Sequence, residues 1–509
     1  MKPLLVASLL LAGCGSKDDR PGPRTLLWAR GADSTTLDPA QVEWLEDLKI
    51  NQSLYETLVT FKPDSTELEG RLATAWTVSP DGRSVSFDLR TGVTFHDGSP
   101  FDAEAVAYTF QRILDPNHPE RPRAVPYAAS FSVVEGVKAD GPHRAVFTLR
   151  TPSAVFLSTL TVPAAAIVSP AAVRKHGTKF AQNPSGTGPY RLGQWDRDVR
   201  MVLERFAGYW GKPPAMERVI VLPVASPQTA IQKLRQGEVH VVDHPSLADI
   251  GPLGKDPSLR VEVQASMNTC YLGFNLRKFP YSDPDFRRAV SLALDRRLLN
   301  TIAYYGLADP AANLVPPAIW GGICATPEYE EDLQMAKECL GRVKLASKEV
   351  ELIHMTFPRP YLAEPARVAE FVKDRLGRIG LEVKLTAYEK SAYTVKIKEP
   401  GHPMYLYGWL ADYADPDNFY YPLLHGENAG DLNGSYFDDP PFNDAVKRAQ
   451  TELDPAKRSA LYATAYARYR EVMPTLPLVH AKQVVALSRK VRYSPHPIEC
   501  RFYAASWAE

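Results

Sequence analysis

A chain of 509 residues is long enough for roughly two to three domains with a sizeable core. With 45% hydrophobic and 23% charged residues it has the composition of a folded protein, and 44 prolines without any low-complexity segment imply many shaped loops, not disorder. Lys plus Arg balance Asp plus Glu at 59 each, which leaves no basic footprint for nucleic acid.

The chain begins MKPLLVASLLLAGCGSKDDR, with Lys2 ahead of the apolar run 4–12. That run is too short for a bilayer, which needs about twenty residues, and fits the apolar region of a secretory signal. Leu11-Ala12-Gly13-Cys14 resembles the lipobox of bacterial lipoproteins. The resemblance implies cleavage before Cys14 and diacylglycerol on its thiol, with 15–23 as a polar tether. No other stretch is long and apolar enough to span a membrane. The expectation is a soluble body held by lipid in the bacterial cell envelope, facing the periplasm or the exterior, on either membrane. Cys270, Cys324, Cys339 and Cys500 remain; four cysteines allow three pairings, and Cys324 with Cys339 could close a short loop.

Further along, TLLWAR (25–30) reads as a strand ended by Gly31. The segment 84–90 alternates with period two between the turns Pro80-Asp81-Gly82 and His96-Asp97-Gly98. A helix is expected over 103–114 and two strands over 131–150. Ser185-Gly186-Thr187-Gly188 reads as a tight turn, because it lacks the Lys of a phosphate loop. A helix is expected over 284–299, capped by Asp283, with Pro284 in its first turn and an apolar stripe at Phe286, Val290, Leu294 and Leu298. Helices are also expected over 365–379, leading into a strand at 381–385, and over 455–472. Helices alternating with strands make the class α/β or α+β.

Catalytic and metal signatures are missing: there is no P-loop, GxSxG, HExxH or EF-hand pattern, and the 11 histidines are scattered. His96 and His244 lack partners at metal-ligand spacing and read as structural. One stretch stands apart, GWLADYADPDNFYY (408–421), which crowds three carboxylates among aromatics. Acid–base work by Asp412 and Asp415 would need a nucleophile or metal, and none is nearby. The same residues suit a cation better. A carboxylate can hold an ammonium by charge-assisted hydrogen bonds while an aromatic face adds cation–π attraction. Asp412 beside Trp409 offers both; Asp415-Pro416 reads as the turn and Asp417 as a solvated or capping residue.

Several separated blocks carry a family resemblance. They are Thr36-Leu37-Asp38-Pro39 with LYETLV (54–59), LATAWTVSPDGRSVSFDLRTGVTFHDGSPFDAEAV (72–106), and GTGPYRL (186–192) with ERFAGYW (204–210). GFNLRKFPYSDPDFRRAVSLALDRR (273–297), VPPAIWG (315–321), the Trp409 block and DPAKRSALYATAYARYREVMPTLPLVH (454–480) follow in order. Together they resemble the extracytoplasmic solute-binding proteins of ABC transporters, family 5, the dipeptide- and oligopeptide-binding group.

The resemblance implies a periplasmic-binding-protein-like type II fold: two lobes with a hinge plus an inserted extra domain (cluster C type). The implied division is signal 1–13, lipidated Cys and tether 14–23, domain I in parts 24–64, 185–267 and 482–509, domain II 65–184, and domain III 268–481. It implies a non-enzymatic monomer without cofactor or metal, which binds a short peptide between domains I and III and hands it to an ABC permease with separate ATPase subunits. Asp412 matches the Asp that pairs with the peptide ammonium. Arg359 in PRPY (358–361), with Tyr361, matches the Arg segment that holds the ligand carboxylate in dipeptide-type members. The two charges are 53 residues apart, as in the dipeptide branch. Leu406 stands where some oligopeptide binders have a basic residue, which speaks against longer peptides. The family's other ligands, oligosaccharides, nickel chelates, haem and opines, stay open as alternatives, and an envelope enzyme is a remote one.

Overall fold

The computed structural model describes residues 22, 24–63, 65–319 and 330–508. The leader with Cys14, and Cys324, lie outside the described residues. Cys270, Cys339 and Cys500 are free, buried thiols.

Three main sheets organise the chain. The strand Thr25–Arg30 sits in the middle of a seven-stranded sheet, parallel to Arg218–Pro223 on one side and Val241–Val242 on the other. Central position explains its nearly continuous apolar sequence, since both faces are covered. Trp28 is fully buried there, edge-on to Tyr493 and Phe502, and its indole N–H donates to Asp243 at 2.9 Å. A four-stranded antiparallel sheet, in the order Ala73–Val78, Ser84–Leu89, Arg144–Leu149 and Val134–Ala139, packs against the helix Ala103–Leu114 around its own apolar core. A six-stranded sheet runs Ala308–Pro310, Thr475–Ala481, Asn268–Gly273, Met404–Leu410, Glu349–Met355, Glu382–Tyr388, with a larger core of its own. The architecture is a mixed α/β one of two lobes plus an inserted unit, as the resemblance implies.

The chain passes between the two large sheets at adjacent places. Gln264 ends a strand of the first and Asn268 begins one of the second; Ala481 and Gln483 make the return. Asn268 fastens the two crossings together. Its amide Nδ2 donates to Ala481 O at 2.8 Å, and its Oδ1 accepts from Ala481 N at 2.9 Å. His480 Nδ1 donates to Asn268 O at 2.7 Å, and burial lowers the imidazole pKa to about 4, so the ring stays neutral.

Most expected elements form, with two differences. The helix expected over 284–299 is two helices, Pro284–Ala293 and Arg296–Tyr304. Leu294 is extended, and Asp295 restarts the chain as an N-cap, accepting from Leu298 N at 2.9 Å. An apolar stripe that continues across both helices hides the break. The second difference is Ser185-Gly186-Thr187-Gly188. Neither glycine has a positive φ; they are needed for close approach instead. A Cβ on Gly186 would overlap Leu54 O, and one on Gly188 would overlap Ser53 O. His96 locks the segment, its Nε2 donating to Gly188 O at 3.0 Å while Nδ1 accepts from Gly186 N at 3.3 Å. His96 and His244 are both structural, the latter bonded to Val224 O and Asp243.

Gly188→Ala should therefore destabilise the protein by roughly 1–3 kcal/mol through overpacking. Urea denaturation followed by circular dichroism checks this; an unchanged midpoint would show that the backbones have room to part.

Candidate ligand-binding site

The six-stranded sheet sets the site. Glu349–Met355 is parallel to both of its neighbours, pairing Leu352 with Met404 on one side and Met355 with Tyr388 on the other. The three strands therefore end at one edge of the sheet. Each is followed within four residues by a charged one: Asp412 two after Leu410, Arg359 four after Met355, and exposed Glu389 then Lys390 after Tyr388. The carboxyl edge of parallel strands is where open α/β sheets gather ligands.

Asp412 is partly buried. Asn418 Oδ1 takes two N–H donors, Trp409 Nε1 at 3.0 Å and Asp412 N at 2.9 Å, and so fixes the indole relative to the Asp412 backbone. From the inserted unit, Tyr127 OH donates to Asp412 Oδ1 at 2.8 Å. Burial raises the Asp412 pKa, and the hydrogen bonds from Tyr127 and Asn418 pull it back. Among the described residues no Lys, Arg or His forms an ion pair with Asp412.

The two other carboxylates of the stretch have different fates. Asp415 is 1% exposed and held by Arg458 through two bonds of 2.8 Å. It also accepts from Asp417 N at 2.9 Å and shapes the turn. Asp417, expected to be solvated or capping, is instead buried in the first turn of the helix Asp417–Leu424. Its oxygens accept from Tyr413 OH and Gln450 Nε2, both at 3.0 Å, and burial with the nearby Asp415 charge pushes its pKa up to about 6. The reason is the loop's position. Tyr413 packs into the core of the inserted unit, and Ala154 N of that unit donates to Gln450 O at 2.8 Å, so the segment is wedged between two bodies.

Arg359 is partly buried, its backbone clipped to Leu362 by reciprocal bonds of 3.0 and 2.9 Å. The guanidinium lies 5.7 Å from the Tyr361 ring centroid, and no carboxylate among the described residues forms an ion pair with it. Tyr361 is 3% exposed and belongs to the apolar core; its ring lies so close on Gly408 that a Cβ there would overlap it. Tyr361 thus forms the floor under Arg359 and next to Trp409, with little surface of its own.

Four contributors were not evident in the sequence: Tyr127, Asn418, Lys390 and Trp44. Lys390 Nζ, from the second lobe, sits 2.7 Å from the ring centroid of Trp44, which precedes the first-lobe helix Leu45–Leu54. Asn418 lies inside the stretch that sequence reading singled out, but its spacing from Trp409 carries no signature. Tyr127 is nearly three hundred residues from Asp412, and only the fold joins them. Among the described residues there is no His, Cys, Asp or Glu cluster suited to a metal and no helix long and apolar enough to cross a membrane.

Two lobes joined by fastened crossings, with opposite charges gathered at one sheet edge, agree with a two-lobed solute-binding protein of type II fold. The sequence profile of bacterial extracellular solute-binding proteins, family 5, matches residues 67–431, and the chain belongs to that family. It is 30% identical to Di/tripeptide-binding protein 2 of Pseudomonas aeruginosa, over 97% of each chain. It is 31% identical to the dipeptide-binding protein of Escherichia coli, over 86% of each. Among solved structures it is similar to the ABC transporter-associated periplasmic binding protein DppA from Helicobacter pylori in complex with the peptide STSA. That likeness has a TM-score of 0.82 and 29% identity, and covers 95% of this chain and 98% of that one.

Arg458→Met should destabilise the fold by about 3–5 kcal/mol, because it strands the buried Asp415 charge. Thermal unfolding checks this. Asp417 gives a pH test. Its native pKa of about 6 lies above the ordinary carboxylate value, so the native state holds the extra proton between about pH 4 and 6. Relative to Asp417→Asn, the wild type is expected to gain stability as pH falls from 7 toward 4. A flat difference between the two would remove the buried-carboxylate assignment.

Proposed function

We propose that the protein captures a dipeptide or other short peptide between its two lobes and delivers it to an ABC permease. The observation that carries this reading is a pair of charges on one sheet edge that form no ion pair among the described residues: Asp412 without a cationic partner, Arg359 without a carboxylate. A partly buried charge is costly unless paired. A zwitterionic peptide supplies the missing partner at each end, its ammonium to Asp412 beside Trp409 and its carboxylate to the planar fork of Arg359. Contacts from both lobes then favour the closed form, which the permease reads. The printed names of the relatives agree, as does a 26% identical Pseudoalteromonas dipeptide-binding protein solved with Met-Leu.

The same reading includes a lipid anchor at Cys14, a monomeric state and no catalytic turnover. It also includes the domain division 24–64, 185–267 and 482–509 for domain I, 65–184 for domain II and 268–481 for domain III. The origin of the strands in each sheet supports that division.

A panel of dipeptides, sugars and chelates in a thermal-shift assay tests the ligand class. A peptide at about one hundred times its Kd should stabilise the protein by about 2.7 kcal/mol. Stabilisation by sugars or chelates and by no peptide would overturn the reading. Asp412→Asn and Arg359→Ala should each weaken peptide binding about tenfold or more with the circular dichroism spectrum intact. Unchanged affinity in both would sink the two-ended clamp.

A further inference from the structure

The clamp explains one cation at the carboxylate end of the site, but the sheet delivers two. Arg359 and Lys390 leave adjacent parallel strands at the same edge, and Thr356 N donating to Tyr388 O at 3.0 Å holds the two exits together. Both side chains are partly buried. Neither forms an ion pair with a carboxylate among the described residues. Lys390 instead rests on the face of Trp44 across the cleft, an arrangement that keeps its charge and leaves its N–H donors for another acceptor. Burial, then the Arg359 charge, hold the Lys390 ammonium below its ordinary pKa, while Glu43 pulls the other way. Glu43 is exposed and beyond ion-pair distance, so solvent screens it.

Two like charges at the end of one strand pair are relieved by one anion only in part. Building on the peptide reading above, we infer that Lys390 and Arg359 together form a subsite for a doubly anionic ligand terminus, and that the preferred peptides end in Asp or Glu. The two residues follow the paired positions Met355 and Tyr388 on adjacent strands about 4.8 Å apart, so the two cations emerge side by side for a ligand terminus that carries two carboxylates. Arg359 takes the α-carboxylate bidentately, and Lys390, a compact charge on a flexible stem, takes the side-chain carboxylate. Trp44 closes the subsite from the first lobe and supports the Lys390 stem.

Isothermal titration of Ala-Gln and Ala-Glu, nearly isosteric and different by one charge, tests this on the full chain. The wild type should bind Ala-Glu about tenfold tighter than Ala-Gln. In Lys390→Met that ratio should fall to about one; in Trp44→Ala, which removes the ring and not the charge, it should persist. A wild-type ratio near one overturns the subsite, as does a ratio that survives in Lys390→Met. Equal losses for both peptides in Lys390→Met would make the residue a latch on Trp44 and likewise overturn it. Failure of the wild type to bind either peptide would defeat the peptide reading itself, and the subsite with it. Binding without preference would defeat the subsite alone.

Discussion

The double hydrogen bond between Asn268 and Ala481 is the constraint on which the rest of the molecule depends. Each lobe has its own sheet and its own apolar core, so neither needs the other in order to be packed. What relates them is a pair of short crossings, and one buried carboxamide holds those crossings side by side. Both atoms of the Asn268 amide are used on one residue's backbone, which fixes direction as well as distance. His480, kept neutral by burial, bonds to the same Asn268 backbone without bringing a charge into the seam. The two lobes meet again at the carboxyl edge of the second sheet, where Lys390 lies on the ring of Trp44.

Within this frame, residues 408–421 solve an electrostatic problem. Three carboxylates in six residues (412–417) cannot all be buried as free anions. Asp415 is neutralised by Arg458 and becomes structural. Asp417, which forms no ion pair among the described residues, is held by Tyr413 and Gln450, and its pKa is pushed up to about 6. The Asp412 carboxylate accepts from the neutral Tyr127 hydroxyl, while its backbone N donates to Asn418 Oδ1, and among the described residues it forms no ion pair. Neutral donors orient a carboxylate without cancelling its charge, and this leaves Asp412 the one member of the set suited to attract a cation. A local charge count would rank the three as equals; their neighbours make them different.

That contrast also describes what was legible in the sequence. Elements with local causes were readable: the Asp283-Pro284 helix start, the alternation of the strand at 84–90, and the long helix at 455–472 each depend on residues within a turn or two. The break at Leu294 was not, because an apolar stripe keeps its phase across a change of helix axis. The role of Gly186 and Gly188 was half readable: glycine signals a special backbone position, but only the helix end at Leu54 shows that the need is for closeness and not for a left-handed turn. The expectations for Asp412, Trp409 and Arg359 came from motif order. Tyr127, Trp44 and Lys390 belong to no motif and meet their partners only through the fold, while Asn418 lies inside the Trp409 stretch at a spacing that carries no signature.

The fate of Tyr361 shows how far a motif carries. The sequence places it two residues after Arg359 and suggests a shared contact with ligand. In the structure its ring is spent on Gly408, and Tyr304 OH donates to its carbonyl at 2.9 Å. A side chain at position 408 is excluded by the same contact, so the strand Met404–Leu410 and the loop that carries Arg359 are tied at one point. Tyr361 thereby fixes the loop of Arg359 relative to the strand that carries Trp409. In the proposed two-ended clamp, spacing selects ligand length only if the two ends cannot drift, and a buried tyrosine under Arg359 is a contact that would keep them in place.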